Sequence, residues 1–140
     1  MAFITHRDLP AAPDAVHAAI ADPARLARWW GPAGFANVFE RCEFRPGGAW
    51  VYVMLGPDGK RYPNESVFET IEPGRRVVIR HVSQPRYRLT ITLTPVADGT
   101  TRVGWEQVFD DARVAAGIAH IVEPANEQNL DRLTAEVLGG

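Results

Sequence analysis

Between residues 36 and 109 the chain is broken at regular intervals by Gly47-Gly48, Pro57-Asp58-Gly59, Pro73-Gly74, Ser83-Gln84-Pro85 and Asp98-Gly99. The runs between these breaks are rich in Val, Ile, Thr, Tyr and Trp, the composition of strands joined by hairpins. Six consecutive strands are expected, arranged as an antiparallel meander. No other feature restricts the fold as much, because such a sheet has one face for water and one that another element must cover.

Charge marks the outer face. Glu69, Arg80, Arg88 and Glu106 alternate with Ser66 and Phe68, Ile79 and His81, Tyr87 and Leu89, and Trp105 and Gln107. Side chains change face at every residue of a strand, so Val77, Ile79, Leu89, Ile91, Leu93, Val103, Trp105 and Phe109 share the inner surface. In GAWVYVM the alternation is ambiguous, and Trp50, Tyr52 and Met54 are assigned inward.

The flanks supply the cover. FITHRDL has the length and composition of a strand. Pro13 suits a first helical position, and Val16, Ala19 and Ile20 then form one stripe. Asp22-Pro23 repeats that start, with Asp22 as N-cap and Leu26 facing the same way as Trp29 and Trp30, before Gly31-Pro32 stops the helix. Successive helical residues diverge by about 100°, so the two tryptophans are expected to point apart, with Trp30 toward a pocket mouth. The last stretch has apolar residues at 118, 121, 122, 125, 130, 133 and 137, a helical stripe long enough to cross a sheet. Pro124 lies inside it and predicts a kink or a break into two helices. The whole chain, 1–140, reads as one α+β domain in which a curved sheet holds a long C-terminal helix.

Bulk properties exclude several functions. A net charge of -2 gives no nucleic-acid footprint. No basic leader precedes an apolar stretch and no run of about 18 apolar residues occurs, so neither secretion nor a membrane span is expected, and the cytoplasm is the expected location. Cys42 is the only cysteine, suited to packing rather than nucleophilic chemistry. His6, His17, His81 and His120 are too scattered for a metal site. A glycine-rich phosphate loop and a GxSxG elbow are both absent, so neither a cofactor nor a catalytic residue is assigned.

Asn126 and Asn129 interrupt the helical stripe of Ile118, Val122 and Leu133, while His81 and Gln107 fall on the inner face of the sheet. A buried amide needs a partner, which is either a neighbouring protein group or a polar atom of a ligand in an otherwise apolar pocket. The candidate ligand-binding residues are therefore Trp30, Trp50, Tyr52, Met54, Phe68, His81, Leu89, Trp105, Gln107, Asn126, Asn129 and Leu133. A second candidate surface is the run holding Arg75, Arg76, Arg80, Arg86 and Arg88 without one acidic residue, either a solvated outer face or a patch that steers an acidic protein partner.

The segments DPARLARWWGPAGF, CEFRPGGAWVYVMLGPDGKRYPNESVFETIEPGRRVVIRH and NEQNLDRL resemble bacterial proteins similar to the C-terminal domain of the activator of the heat-shock-protein-90 ATPase, within the START-like or SRPBCC superfamily. The resemblance runs over essentially the whole chain. It implies a helix-grip fold, with a seven-stranded antiparallel sheet around the long helix and two short helices closing one end of a hydrophobic cavity. It also implies binding of an apolar or amphipathic small molecule there. The alternatives are a protein-interaction module related to chaperone ATPase activation, and a small enzyme using His81 with Tyr62 or Glu65. Many relatives carry glycine or tryptophan where Pro124, Ala125 and Asn126 stand, so the roof of the cavity is where this chain departs from them.

Overall fold

The computed structural model describes residues 2–139. The elements are β1 (Ala2–Leu9), α1 (Pro13–Ala21), α2 (Pro23–Trp29), β2 (Ala36–Cys42), β3 (Gly48–Leu55), β4 (Arg61–Glu72), β5 (Arg76–His81), β6 (Tyr87–Ala97), β7 (Thr100–Phe109) and α3 (Ala112–Gly139). Strands β2 to β7 each pair with their neighbour in sequence, and β1 pairs with β7, giving a seven-stranded antiparallel sheet of order β1-β7-β6-β5-β4-β3-β2. The fold is the curved sheet with a long terminal helix expected from the turns and the final stripe, and the helix-grip arrangement that the resemblance implies.

Register confirms the inner face row by row. Trp50, Ser66, His81, Tyr87 and Phe109 stand opposite one another across β3 to β7, and Phe68, Ile79, Leu89, Gln107 and Phe3 form the next row from β4 to β1. All eight residues assigned inward from charge alternation on β5 to β7 are buried. Trp50 and Tyr52 are buried too, and Met54 packs partly buried against them. The short helices begin as expected: Pro13 opens α1, whose buried residues are Val16, Ala19 and Ile20, and Asp22 Oδ1 accepts from Ala24 N at 3.0 Å to start α2.

Of the kink or break expected at Pro124 the break does not occur, and the buried stripe of α3 differs from its sequence reading. The helix runs without interruption through Pro124 rather than breaking in two. Pro124 and His120 both lie on the exposed side, so the carbonyl that loses its intrahelical donor faces water and the loss is tolerated. The buried stripe is also narrower than the sequence suggested. It comprises Ala115, Val122, Asn126, Asn129, Leu130 and Leu133, whereas Ile121 is 58% exposed.

α3 packs on β1, β7, α1 and α2. The main core gathers around Trp29, Trp30, Trp50 and Trp105, with Leu130 and Leu133 from α3. A smaller cluster of Phe3, Phe109, Ala115 and Val122 lies under the first half of α3, and Tyr87 touches both. Ion pairs fix the rim: Arg7 bridges to Glu127 and Asp131, and Arg25 and Arg28 share Glu136.

Candidate functional site

The inner face of β3 and β4 carries a stack of rings. Trp50 lies 4.3 Å from Tyr52 and 5.4 Å from Phe68, centroid to centroid, close to parallel with both. This follows from the pleat, which places Trp50 and Tyr52 on one face two residues apart. Trp30 meets Trp50 edge-on at 4.9 Å and lies 6.2 Å from Trp105, which in turn is 6.4 Å from Trp29. All four tryptophans thus belong to one cluster.

That Trp29 and Trp30 both turn inward corrects the expected divergence. Trp29 is the last residue of α2, while Trp30 is its C-cap with extended backbone, φ −64° and ψ 134°. The helical 100° step ends at Trp29, so the next side chain is free to return to the core. They are 1% and 4% exposed, and Trp29 Nε1 donates to Ala19 O at 2.9 Å.

The chain after Trp30 is held by α3. Gly31 N donates to Asn129 Oδ1 and Ala33 N to Gln128 Oε1, both at 3.0 Å. The Arg132 guanidinium donates to five carbonyls: Trp30, Gly31 and Pro32 through Nη1, Arg28 and Phe35 through Nη2. Asn37 Nδ2 adds bonds to the Ala27 and Trp30 carbonyls. Gly31 has φ +97°, a backbone conformation strained for any L side chain, and a Cβ there would also press on the flexible end of Met54, 2.6 Å from Cε. Burial draws the Arg132 guanidinium below its ordinary pKa, and the ring of carbonyl oxygens compensates for lost water.

The polar residues singled out from the sequence are all buried, and each has a protein partner. Asn129 binds the Gly31 amide, as above, and Asn126 Nδ2 donates to Gln107 Oε1 at 3.1 Å. His81 Nδ1 lies 2.8 Å from the Pro85 carbonyl and Nε2 lies 2.7 Å from Asn64 Oδ1, with the ring stacked on Tyr87 at 4.5 Å. Burial lowers the His81 pKa, opposed by hydrogen bonding to the backbone of Pro85 and Ser83. The alternative grouping of His81 with Tyr62 or Glu65 is not assembled, because Glu65 is exposed and alternates with Ser66 onto the opposite face of β4, while Tyr62 is 43% exposed. Leu89, Phe68 and Leu133 are wholly buried in the same core.

Three other groups in this interior have no partner: Trp50 Nε1, Trp105 Nε1 and Ser66 Oγ are buried without a hydrogen bond. Burial pushes the neighbouring Tyr52 phenol well up. An unmet buried donor costs about 1–3 kcal/mol, so three of them in one region require an explanation. Sequence reasoning had Ser66 on the inner face without weighing its hydroxyl, and it missed Gln128, Arg132 and Asn37. The signal for the α3 pair was the spacing of Gln128, Asn129 and Arg132, which lie on one helix face.

Open space lies at the edges of this packed interior. A groove of about 330 Å³ between β1 and α3 is lined by Phe3, Ile4, Thr5, Glu123, Asn126 and Glu127, and it reaches the Asn126 side of the Gln107 contact. Another, of about 390 Å³, lies where Pro85 and Arg86 approach Asp110 and Asp111 at the start of α3. The arginine run is less bare than its sequence. Arg76 pairs with Glu72, Arg80 with Asp110 and Arg88 with Glu69. Among the described residues no cluster of His, Cys, Asp and Glu could hold a metal ion, and no helix is long and apolar enough to cross a membrane.

The chain has recognisable relatives. The family described as "Activator of Hsp90 ATPase homolog 1-like protein" matches residues 10–137. Among solved structures, a protein from Arthrobacter aurescens superposes with a TM-score of 0.90 at 25% identity, covering 99% of this chain and 87% of its own. Protein CV1439 from Chromobacterium violaceum gives 0.83 at 26% identity, covering 96% of both chains, and Mll3558 from Rhizobium loti gives 0.73 at 28%, covering 97% of this chain and 96% of its own. No curated protein matches the sequence.

Proposed function

The chain belongs to the family of activator of Hsp90 ATPase homolog 1-like proteins, and on that premise we propose that it binds an apolar or amphipathic small molecule between the sheet and α3. Domains of this fold typically bind ligands. The proposed walls are Trp50, Tyr52, Phe68, Leu89 and Trp105 from the sheet and Leu133 from α3, with Trp30 and Met54 at the end closed by the loop. His81, Gln107, Asn126 and Asn129 hold these walls through the bonds already described.

The observation that carries this reading is the set of unmet donors at Trp50, Trp105 and Ser66 inside an aromatic interior. Closed, that interior forfeits hydrogen bonds; filled by a molecule with suitable polar atoms, it recovers them. Trp30 is the ring in the cluster that neither a helix nor a strand carries, and it closes this interior at the loop held by Asn129, Gln128 and Arg132. A cytoplasmic setting fits a half-buried Cys42 whose thiol burial pushes up to about 11, which makes it a packing residue and a poor nucleophile.

Native mass spectrometry of freshly purified protein, with solvent extraction of what is released, tests the proposal. A non-covalent mass increment lost on denaturation is expected, weaker in Trp105→Ala. Protein that carries no such species, and whose indole signals ignore apolar probes, overturns it. Partner binding through Arg75, Arg76, Arg80, Arg86 and Arg88 is less supported, because three of these cations are already matched by carboxylates.

A further inference from the structure

We infer that the ligand is uncharged and acts as a hydrogen-bond acceptor: an apolar body bearing a carbonyl or ether oxygen and no ionised group. The inference rests on the binding site proposed above and narrows what enters it.

The argument is an inventory of buried polarity. Among the described residues no Asp, Glu, Lys or Arg is buried; the buried polar side chains are Ser66, His81, Thr101, Gln107, Asn126 and Asn129. Thr101 donates to Ala11 O, Gln107 and Asn126 bind each other, Asn129 accepts from Gly31 N, and both His81 nitrogens face oxygens. Ser66, beside the Tyr52 phenol, alone of the six forms no hydrogen bond of normal geometry, and the two unpartnered indoles join it. An indole N–H donates and cannot accept. Two of the three free groups therefore demand an acceptor, and the serine hydroxyl can satisfy one as well. The remaining unmatched atoms, Asn37 Oδ1 and His17 Nδ1, lie apart from these rings, one beneath the loop after Trp30 and the other beside Phe44.

Charge is excluded by the same inventory. A carboxylate ligand needs a cation, yet Arg132 faces backbone carbonyls and both ring nitrogens of His81 are already engaged by Pro85 O and Asn64 Oδ1. An ammonium ligand needs a carboxylate, and none is buried. An ion entering this interior would lose its water without a counter-charge.

Three probes of matched shape separate the possibilities: acetylnaphthalene, ethylnaphthalene and naphthoate. The readout is the indole N–H resonances of the intact protein, with Trp29 as internal control because its Nε1 is already bound to Ala19 O. Acetylnaphthalene is expected to shift the Trp50 or Trp105 signal downfield and to bind about tenfold more tightly than ethylnaphthalene, with naphthoate unbound. Ser66→Ala or Trp50→Phe should reduce that preference; the serine variant removes an unmet hydroxyl and leaves the rings in place. Equal binding of acetylnaphthalene and ethylnaphthalene overturns the acceptor rule while sparing the small-molecule reading. Tight binding of naphthoate overturns neutrality. Silence of all four indoles toward every probe overturns both the class and the site.

Discussion

The two halves of α3 are treated differently by the rest of the molecule. Its second half carries Gln128, Asn129, Leu130, Arg132, Leu133 and Glu136, which bind the loop after Trp30, fill the tryptophan core and close ion pairs with α2. Its first half contributes Ala115, Ile118 and Val122 to a small cluster and leaves Val114 and Ile121 exposed. The exposed Pro124 stands between them. One helix thus combines a firmly bonded anchor with a lightly held arm, and the difference shows that regular secondary structure says little about how stability is distributed along it.

The comparison breaks most readily at Arg132. Arg132→Met strands five carbonyls that have no other side-chain donor except at Trp30, where Asn37 also binds. A loss of at least ~3 kcal/mol is expected, read as a lower urea midpoint with unchanged m-value. Next, Leu133→Ala should cost about 2–5 kcal/mol and Val122→Ala about 1–2 kcal/mol, since the former empties the main core and the latter a small cluster. Similar losses for the two would remove the distinction between the halves. Pro124→Ala restores a backbone donor and should stabilise by about 1 kcal/mol, with slower amide exchange confined to residues 112–123; slowing spread over all of α3 would show that the proline does not divide it.

The smallest effect expected is electrostatic. The guanidinium groups of Arg28 and Arg25 hold the Glu136 carboxyl below its ordinary range. A carboxylate with a depressed folded-state pKa contributes stability that is complete above the unfolded value, 4.5, and is lost as pH falls through the folded one. Glu136→Gln should therefore lower the melting temperature slightly at pH 7 and match the parent in strong acid. A constant difference at all pH values would mean the residue acts through packing alone.

Much of this architecture is readable from residue order. Turn dipeptides mark the meander, charge alternation gives the inner face of β5 to β7, and Asp22-Pro23 starts α2, because each depends on chain geometry over a few residues. Strand alternation leaves Trp50 and Tyr52 ambiguous, whereas it places His81 and Gln107 in the interior, and the helical stripe adds Asn126 and Asn129. Their partners were not readable. The Gly31 amide meets Asn129 across 98 positions of sequence, and Asn126 meets Gln107 across 19.

Local pattern therefore determined which residues are strand or helix and which side of the sheet they occupy. Closure of the fold decided that Trp29 and Trp30 enter one core, that Glu69, Glu72 and Asp110 match three arginines, and that Trp50, Trp105 and Ser66 have no partner. The physical reason is range. Backbone sterics and side-chain periodicity act within a few residues, whereas a hydrogen bond or ion pair between distant segments exists only once the sheet has brought them together.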